Sequence, residues 1–266
     1  MPKIAIMITS CDAYKECWKP MIYSLDKYWP DCEFPRYIVT NFETEDLPNT
    51  HFIDIGNDDG WCTLTKRGLA AIDCDYIIFM QDDYWLCRKV NNDAIKAHVK
   101  YFEENNLDYL KIQDDTRRDN YRIGNTDYCM NPLNIRYSIN TAVAIWRKST
   151  IDKLIISGWS GWQWERGIIP YIKANGIKLS SQILYSESFK DKGITYIPEG
   201  AVLRGRWTPW AVEFLHQNGF EDLIKQRKTI GKIYTLIWTS SPKNRYLRIP
   251  VWGILKLLRG LGLMGI

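Results

Sequence analysis

The chain opens with a short apolar run, Lys3 to Thr9, that gives way at once to Ser10-Cys11-Asp12. A run this short and this uniformly apolar predicts a parallel strand buried on both faces that empties into a polar loop. Mixed spacing then predicts a helix over about 14–28, stopped near Pro30. Two further strands are predicted from Arg36 to Thr40 and from Phe52 to Ile55, each followed by Asn, Asp or Gly. Leu64, Leu69 and Ile72 give residues 62–72 a helical period, and Tyr76 to Met80 is again a buried strand. This β-α-β-β-α-β order predicts an α/β layered fold. Ligands of such sheets lie at the carboxyl ends of the strands, where Ser10, Asn41, Asn57 and Gln81-Asp82-Asp83 all fall.

The second half is less regular. A helix over about 91–105 and a strand near 108–112 lead into a polar stretch, 114–131, whose length fits either a lid or a charged surface loop. Ile139 to Trp146 reads as a strand, Ser149 as a helix N-cap, and Gly161 to Asn175 as a helix ending at Gly176. Strand and loop alternate from Ile194 to Trp207, and a helix is predicted over about 209–228. With no internal repeat and no clean linker, residues 1–230 read as one domain and 231–266 as a tail.

Composition adds one unusual feature. At 266 residues, 45% hydrophobic and 25% charged, the chain is ordinary for a globular protein, which excludes disordered and fibrous classes. Its aromatic content is high, with 12 Trp, 16 Tyr and 8 Phe, which suits a core, an interface or a sugar-stacking surface. The net charge of +4 is unevenly spread: nine Lys or Arg residues follow Asp222 and no acid does, so a body of about −5 carries a basic tail. The seven cysteines are odd in number and form no CxxC pair, which together with the lack of a signal peptide predicts reduced thiols in a cytoplasmic protein. His51, His98 and His216 are isolated, and neither HExxH nor a glycine-rich phosphate loop is present, which argues against a zinc hydrolase and a P-loop NTPase.

The most informative local feature is the step from the apolar strand into Gln81-Asp82-Asp83. Adjacent carboxylates at that edge can hold a divalent cation through hard oxygens, and such a cation can neutralise a diphosphate. They can also be a solvated turn, since Asp is a frequent turn residue.

On these residues the first half resembles the GT-A fold glycosyltransferases, in particular the bacterial group related to family 2 that builds surface polysaccharides. The shared pattern is the strand and loop Ile4 to Asp12, a helix carrying Lys66-Arg67-Gly68 near its start, and a hydrophobic strand ending in the acidic element Asp82-Asp83. The resemblance implies a GT-A-like (Rossmann-like) layered fold with a mixed central sheet, residues 1–110 binding a nucleotide-sugar and 111–230 binding an acceptor. It implies a nucleotide-diphosphate sugar donor, UDP foremost, held by Thr9, Ser10, Asp12, Asn41, Arg67 and Asp82. It further implies Mg²⁺ or Mn²⁺ on Asp83, with Asp82 at the ribose or the metal. The chain departs from the family at Gln81, which stands where the acidic triplet usually begins, and at Asn41-Phe42-Glu43, where a base-contacting acid is common.

The resemblance also implies a catalytic acid at a helix start about 80 residues beyond the metal motif, a place taken here by Glu165 in Gly161-Trp-Gln-Trp-Glu165. An inverting transfer needs one general base opposite the leaving diphosphate. Glu near a helix start is equally favoured by the helix dipole alone. Trp162 and Trp164 beside it suit an acceptor subsite, because C–H faces of sugars stack on indoles, or they pack the core. Asn140 or Thr141 could bond a sugar hydroxyl or belong to an ordinary strand. Arg204 or Arg206 could close on the donor diphosphate with bidentate geometry, or lie on a solvated loop.

Residues 243–266 interleave Arg245, Arg248, Lys256 and Arg259 with Leu, Val and Trp252, without the roughly 18 uninterrupted apolar residues of a membrane span. The pattern predicts a basic amphipathic helix on an anionic inner-leaflet surface, or one packed on the domain or on a second copy. The expected whole is thus an inverting, metal-dependent glycosyltransferase, peripheral on the inner face of the cytoplasmic membrane. Its acceptor would be a lipid-linked glycan or oligosaccharide of lipopolysaccharide or capsule synthesis. Two alternatives stand beside it: a nucleotidyltransferase that makes a sugar nucleotide, and a non-catalytic carbohydrate-binding protein.

Overall fold

A computed structural model describes residues 3–57, 59–113, 116–135 and 137–231, without the side chains of Thr116 and Arg117. The predicted tail, 231–266, therefore lies outside the described residues except for Gly231. The chain divides into two compact units between Tyr196 and Ile197, whereas the sequence pattern puts its boundary at 230.

The first unit is built on a mixed sheet of order β3-β2-β1-β4-β7-β5-β8-β6. Strands β1 (Ile4–Thr9), β2 (Arg36–Thr40), β3 (Thr50–Asp54) and β4 (Tyr76–Gln81) run parallel, with α1 (Trp18–Tyr28) and α2 (Trp61–Ala71) in the crossovers. β1 and β4 are almost wholly buried, as their uninterrupted apolar sequences require. Their register sets Thr9 opposite Gln81, which brings Ser10 and Asp82 to the same carboxyl edge. α2 lies directly on the sheet because Gly68 has no side chain: a Cβ there would come within 2.6–2.9 Å of Val39 and Met7. That close approach fixes the start of α2, and with it Trp61, beside the end of β4.

Beyond α3 (Asn92–Glu104), the strand β5 (Tyr109–Lys111) does not pair with β4. An excursion through β6 (Tyr128–Met130) intervenes, and β7 (Ala144–Arg147) returns antiparallel between β4 and β5. Helices α4 (Lys148–Leu154) and α5 (Gly161–Ala174), strand β8 (Ser181–Leu184) and helix α6 (Ser186–Lys192) complete the unit. A core cluster joins Val39, Phe79, Trp146, Trp164 and Ile168, so α2, α4 and α5 share one layer on this face.

Several predicted elements are corrected. The first helix enters through a 3₁₀ segment, Asp12–Cys17, and becomes α-helical at Trp18. The stretch 114–131 is not all loop, since it holds a 3₁₀ turn (Thr116–Tyr121) and β6. Residues 139–143 are not strand, because side chains take the amides of Thr141 and Ala142. Asn140 Oδ1 accepts from the Ala142 amide at 3.2 Å, and Glu165 accepts from the Thr141 amide at 2.9 Å. Ser149 lies within α4 and caps nothing, whereas Ser160 caps α5 in a reciprocal box with Gln163.

The second unit holds the hairpin β9 (Val202–Leu203) and β10 (Arg206–Trp207), followed by α7 (Pro209–Gln217) and α8 (Glu221–Ile224). Its turn, Arg204-Gly205, has φ of 53° and 73°, the left-handed pair a two-residue hairpin demands. The helix predicted over 209–228 is two, broken at Gly219 with φ 77°. Trp207 is fully buried and donates from Nε1 to the Leu223 carbonyl at 3.1 Å, which ties the hairpin to α8.

Candidate active site

The carboxyl edge of β1, β2 and β4 gathers most of the expected donor-side residues. Ser10 Oγ donates to Asp82 Oδ2 at 2.5 Å and accepts from Trp18 Nε1 at 2.7 Å. Asp82 is only 7% exposed, so a charge at the end of an apolar strand is held by a hydroxyl and an indole behind it. Thr9 Oγ1 donates to Gln81 Oε1 at 3.0 Å, and Trp61 Nε1 reaches the same oxygen at 3.3 Å. Asp83 follows, half-buried, on the turn leaving β4.

Three residues expected at the nucleotide, Asp12, Asn41 and Arg67, brace the loops of this edge. The Asp12 carboxylate accepts from the backbone amides of Asn41, Phe42 and Glu43, each at 3.2 Å, while Asn41 Oδ1 accepts from the Asp12 amide. Asn41 Nδ2 also donates to the Gly56 carbonyl at 3.3 Å. Together they lock the ends of β1, β2 and β3 and leave the ring of Phe42 exposed. Arg67 donates to the Ile55 and Asn57 carbonyls and pairs with Asp59 at 2.7 Å, so it braces the loop after β3.

The residues expected at the acceptor come from the segment before β7 and from α5. Glu165 Oε1 accepts from both the amide and the hydroxyl of Thr141, at 2.9 and 2.6 Å. The Tyr84 hydroxyl comes within 3.5 Å of Thr141 Oγ1. Tyr84 itself stacks on Tyr196 at 4.1 Å, and the Tyr196 hydroxyl accepts from Gln113 Nε2 at 2.6 Å. Burial, then the neighbouring Tyr196 and the negative charge of Asp83, hold the Tyr84 phenol well above its ordinary range, with Glu165 adding to the effect. Thr141 thus links Glu165 to Tyr84, the residue that directly follows Asp83. Tyr84 and Tyr196 escaped the sequence analysis. Tyr84 had a signal, an aromatic directly after the acids, but Tyr196 had none.

Trp162 and Trp164 separate. Trp162 is 65% exposed, one turn before Glu165, whereas Trp164 is 1% exposed, donates from Nε1 to the Leu154 carbonyl at 2.8 Å and packs against Trp61 and Trp146. Trp164 is a core residue and does not face an acceptor. Asn140 spends its Oδ1 on the turn at Ala142. Arg204 and Arg206 belong to the second unit, Arg204 exposed at the hairpin turn and Arg206 half-buried on β10.

Among the described residues no three His, Cys, Asp or Glu side chains gather as a ready-made metal site. Two adjacent carboxylates, one buried on Ser10 and one half-buried at the edge, nonetheless fit Mg²⁺ or Mn²⁺ when substrate phosphate and water complete the shell. None of the seven cysteines is in a disulfide, and burial pushes the Cys62 thiol up to about 12 and the Cys129 thiol up to about 11, so neither is a poised nucleophile. A cavity of about 370 Å³ lies at the opposite end of β4, beside Asp75, Arg147 and Lys148. Lys148 donates to the Ile72 carbonyl and Arg147 to the Leu107 carbonyl, so those cations are occupied by the fold.

No family model and no curated protein matches the chain. Among solved structures, S. aureus TarS 1-349 in complex with UDP is similar at 16% identity and a TM-score of 0.50, over 73% of this chain and 60% of that one. The chain thus spans three fifths of that structure's length. The galactosyltransferase LgtC in complex with donor and acceptor sugar analogs is similar at 13% identity and a TM-score of 0.44, over 87% and 99%. A cytidylyltransferase from Leptospira borgpetersenii serovar Hardjo-bovis is similar at 13% and 0.45, over 86% and 99%. The chain has a GT-A-like α/β fold.

Proposed function

We propose that this chain is an inverting glycosyltransferase that moves a sugar from a nucleotide diphosphate, UDP foremost, to a hydroxyl of a lipid-linked or oligosaccharide acceptor in bacterial surface polysaccharide synthesis. The observation that carries this reading is the hydrogen-bonded chain from Glu165 through Thr141 to Tyr84, the residue directly after Asp83 at the carboxyl edge of the sheet. TarS, which shares the fold, was crystallised with UDP, and that supports a nucleotide-linked donor.

In this reading the donor lies over Ser10, Asp82 and Asp83, and the acceptor sugar stacks on the exposed face of Trp162. Glu165 takes the acceptor proton while the hydroxyl oxygen bonds to the anomeric carbon, and the bond from that carbon to the diphosphate oxygen breaks. Attack opposite the leaving group inverts the anomeric centre. Asp83, with Asp82 behind it, would hold Mg²⁺ or Mn²⁺, which supplies positive charge next to the departing diphosphate. The basic amphipathic sequence of 243–266 would bring the enzyme to the inner-leaflet surface where a lipid-linked acceptor resides.

Glu165→Gln is the informative substitution, because the amide oxygen still accepts from Thr141 but the group no longer accepts a proton. Turnover is expected to fall roughly 10²–10⁴-fold while the thermal midpoint stays near that of the parent. Asp83→Ala should abolish the thermal stabilisation that a UDP-sugar with Mn²⁺ gives. Full transfer by both variants would sink the assignment.

A further inference from the structure

The hydrogen bonds around Glu165 have a direction. A carboxylate only accepts, so the Thr141 hydroxyl, 2.6 Å from Oε1, spends its proton there. The Thr141 amide, at 2.9 Å, spends its own on the same oxygen. With its proton committed, Thr141 Oγ1 offers only lone pairs to Tyr84, whose hydroxyl is the donor across 3.5 Å. Two donors thus fasten Oε1, and a third stands behind the hydroxyl.

We infer that Thr141 is the positioning residue of Glu165, fastening Oε1 so that Oε2 is the oxygen presented to the acceptor hydroxyl, with Tyr84 setting the Thr141 rotamer from the acidic turn. The inference rests on the reading of Glu165 as the general base and adds which oxygen works and what aims it. The residues that hold Thr141 are fixed from both sides. Thr141 follows Asn140, whose side chain closes the turn onto Ala142. Tyr84 is clamped between the ring of Tyr196 and the turn of β4, and the chain beyond it is bridged to residues 195 and 196 through Cys87 and Leu86. α5 in turn is anchored by its Ser160–Gln163 capping box, one turn before Glu165. Misaiming a base by about an ångström is enough to lose on the order of a hundredfold in rate.

The test uses the full chain with Mn²⁺, UDP-glucose, UDP-galactose and UDP-N-acetylglucosamine as donors, and octyl glycosides or water as acceptors, read as UDP released. Thr141→Val keeps the amide donor and removes the hydroxyl. It should lower kcat about ten- to a hundredfold with the donor KM unchanged, and Thr141→Ser should restore kcat to within about threefold. Tyr84→Phe should lower kcat by a smaller factor, about two- to fivefold, and remains informative if Thr141→Val does not fold. Glu165→Gln separates the two readings. If it turns over like the parent, Glu165 is no base and the inference falls with it. If it is inactive while Thr141→Val matches the parent, the base stands and the positioning role is overturned. A loss in Thr141→Val that appears in donor KM, or that Thr141→Ser does not rescue, also overturns it.

Discussion

Trp162 and Trp164 stand two positions apart on α5, about 200° around the helix, so one faces solvent and the other the core. Their burial, 65% and 1% exposed, follows from that rotation. Trp164→Ala removes an indole packed against Trp61 and Trp146 and is expected to cost about 3–5 kcal/mol, read as a large drop in the thermal midpoint. Trp162→Ala should leave that midpoint in place and raise the acceptor KM, measured with saturating donor. An unchanged KM would remove Trp162 from the acceptor subsite. In the sequence the two tryptophans look alike, because Trp-Gln-Trp-Glu shows that a helix starts there but not which of its faces meets the sheet. The acids were more legible. Asp82 and Asp83 end an apolar strand, and that alone places them at a ligand edge, whereas the bonds from Asp82 to Ser10 and from Asp12 to the turn after β2 join residues far apart in the chain.

At the scale of elements, the parallel strands could be read directly because burial on both faces writes an unbroken apolar run. β1, β2 and β4 lie where the pattern puts them. The strand expected over 139–146 begins only at Ala144, since the residues before it trade ladder bonds for side-chain partners, Asn140 on Ala142 and Glu165 on Thr141. Apolar pattern is blind to that exchange. Likewise a single glycine, Gly219, divides a helix whose hydrophobic period continues across it. The tail, 243–266, is an element known from sequence alone, and its proposed work is peripheral attachment. Deleting it should release the protein from vesicles of anionic phospholipid at low salt in a sedimentation assay, while activity on a soluble acceptor is kept. Retention on the vesicles after deletion would defeat the membrane role.

For the whole molecule, a buried histidine joins α3, β6 and the end of α6 within the first unit. His98 on α3 bonds through Nδ1 to the Tyr128 hydroxyl on β6 at 2.8 Å and through Nε2 to the Lys192 carbonyl at 3.0 Å. Burial lowers its affinity for protons, opposed by the Lys192 carbonyl and by Asp127. The folded protein therefore binds a proton here less readily than the unfolded chain, so the stabilisation is complete above the unfolded value of about 6.5 and is lost as pH falls below it. The thermal midpoint should decline between pH 7.5 and 5, and His98→Gln, which cannot titrate, should show a shallower decline over that range. Parallel declines in the two proteins would show that His98 is not the group responsible. The antiparallel return of β7 has a separate consequence. The excursion leaves β5 at Ile112 and re-enters at Val143, and those two residues are joined by a single backbone hydrogen bond of 3.2 Å. Both ends of some thirty residues are thus pinned at one point of the sheet. Insertions or deletions within the excursion change a loop-closure entropy that grows only slowly with length. Length changes at its exposed turn, 124–126, are therefore expected to leave β4, and the turn after it that carries Asp82 and Asp83, in place.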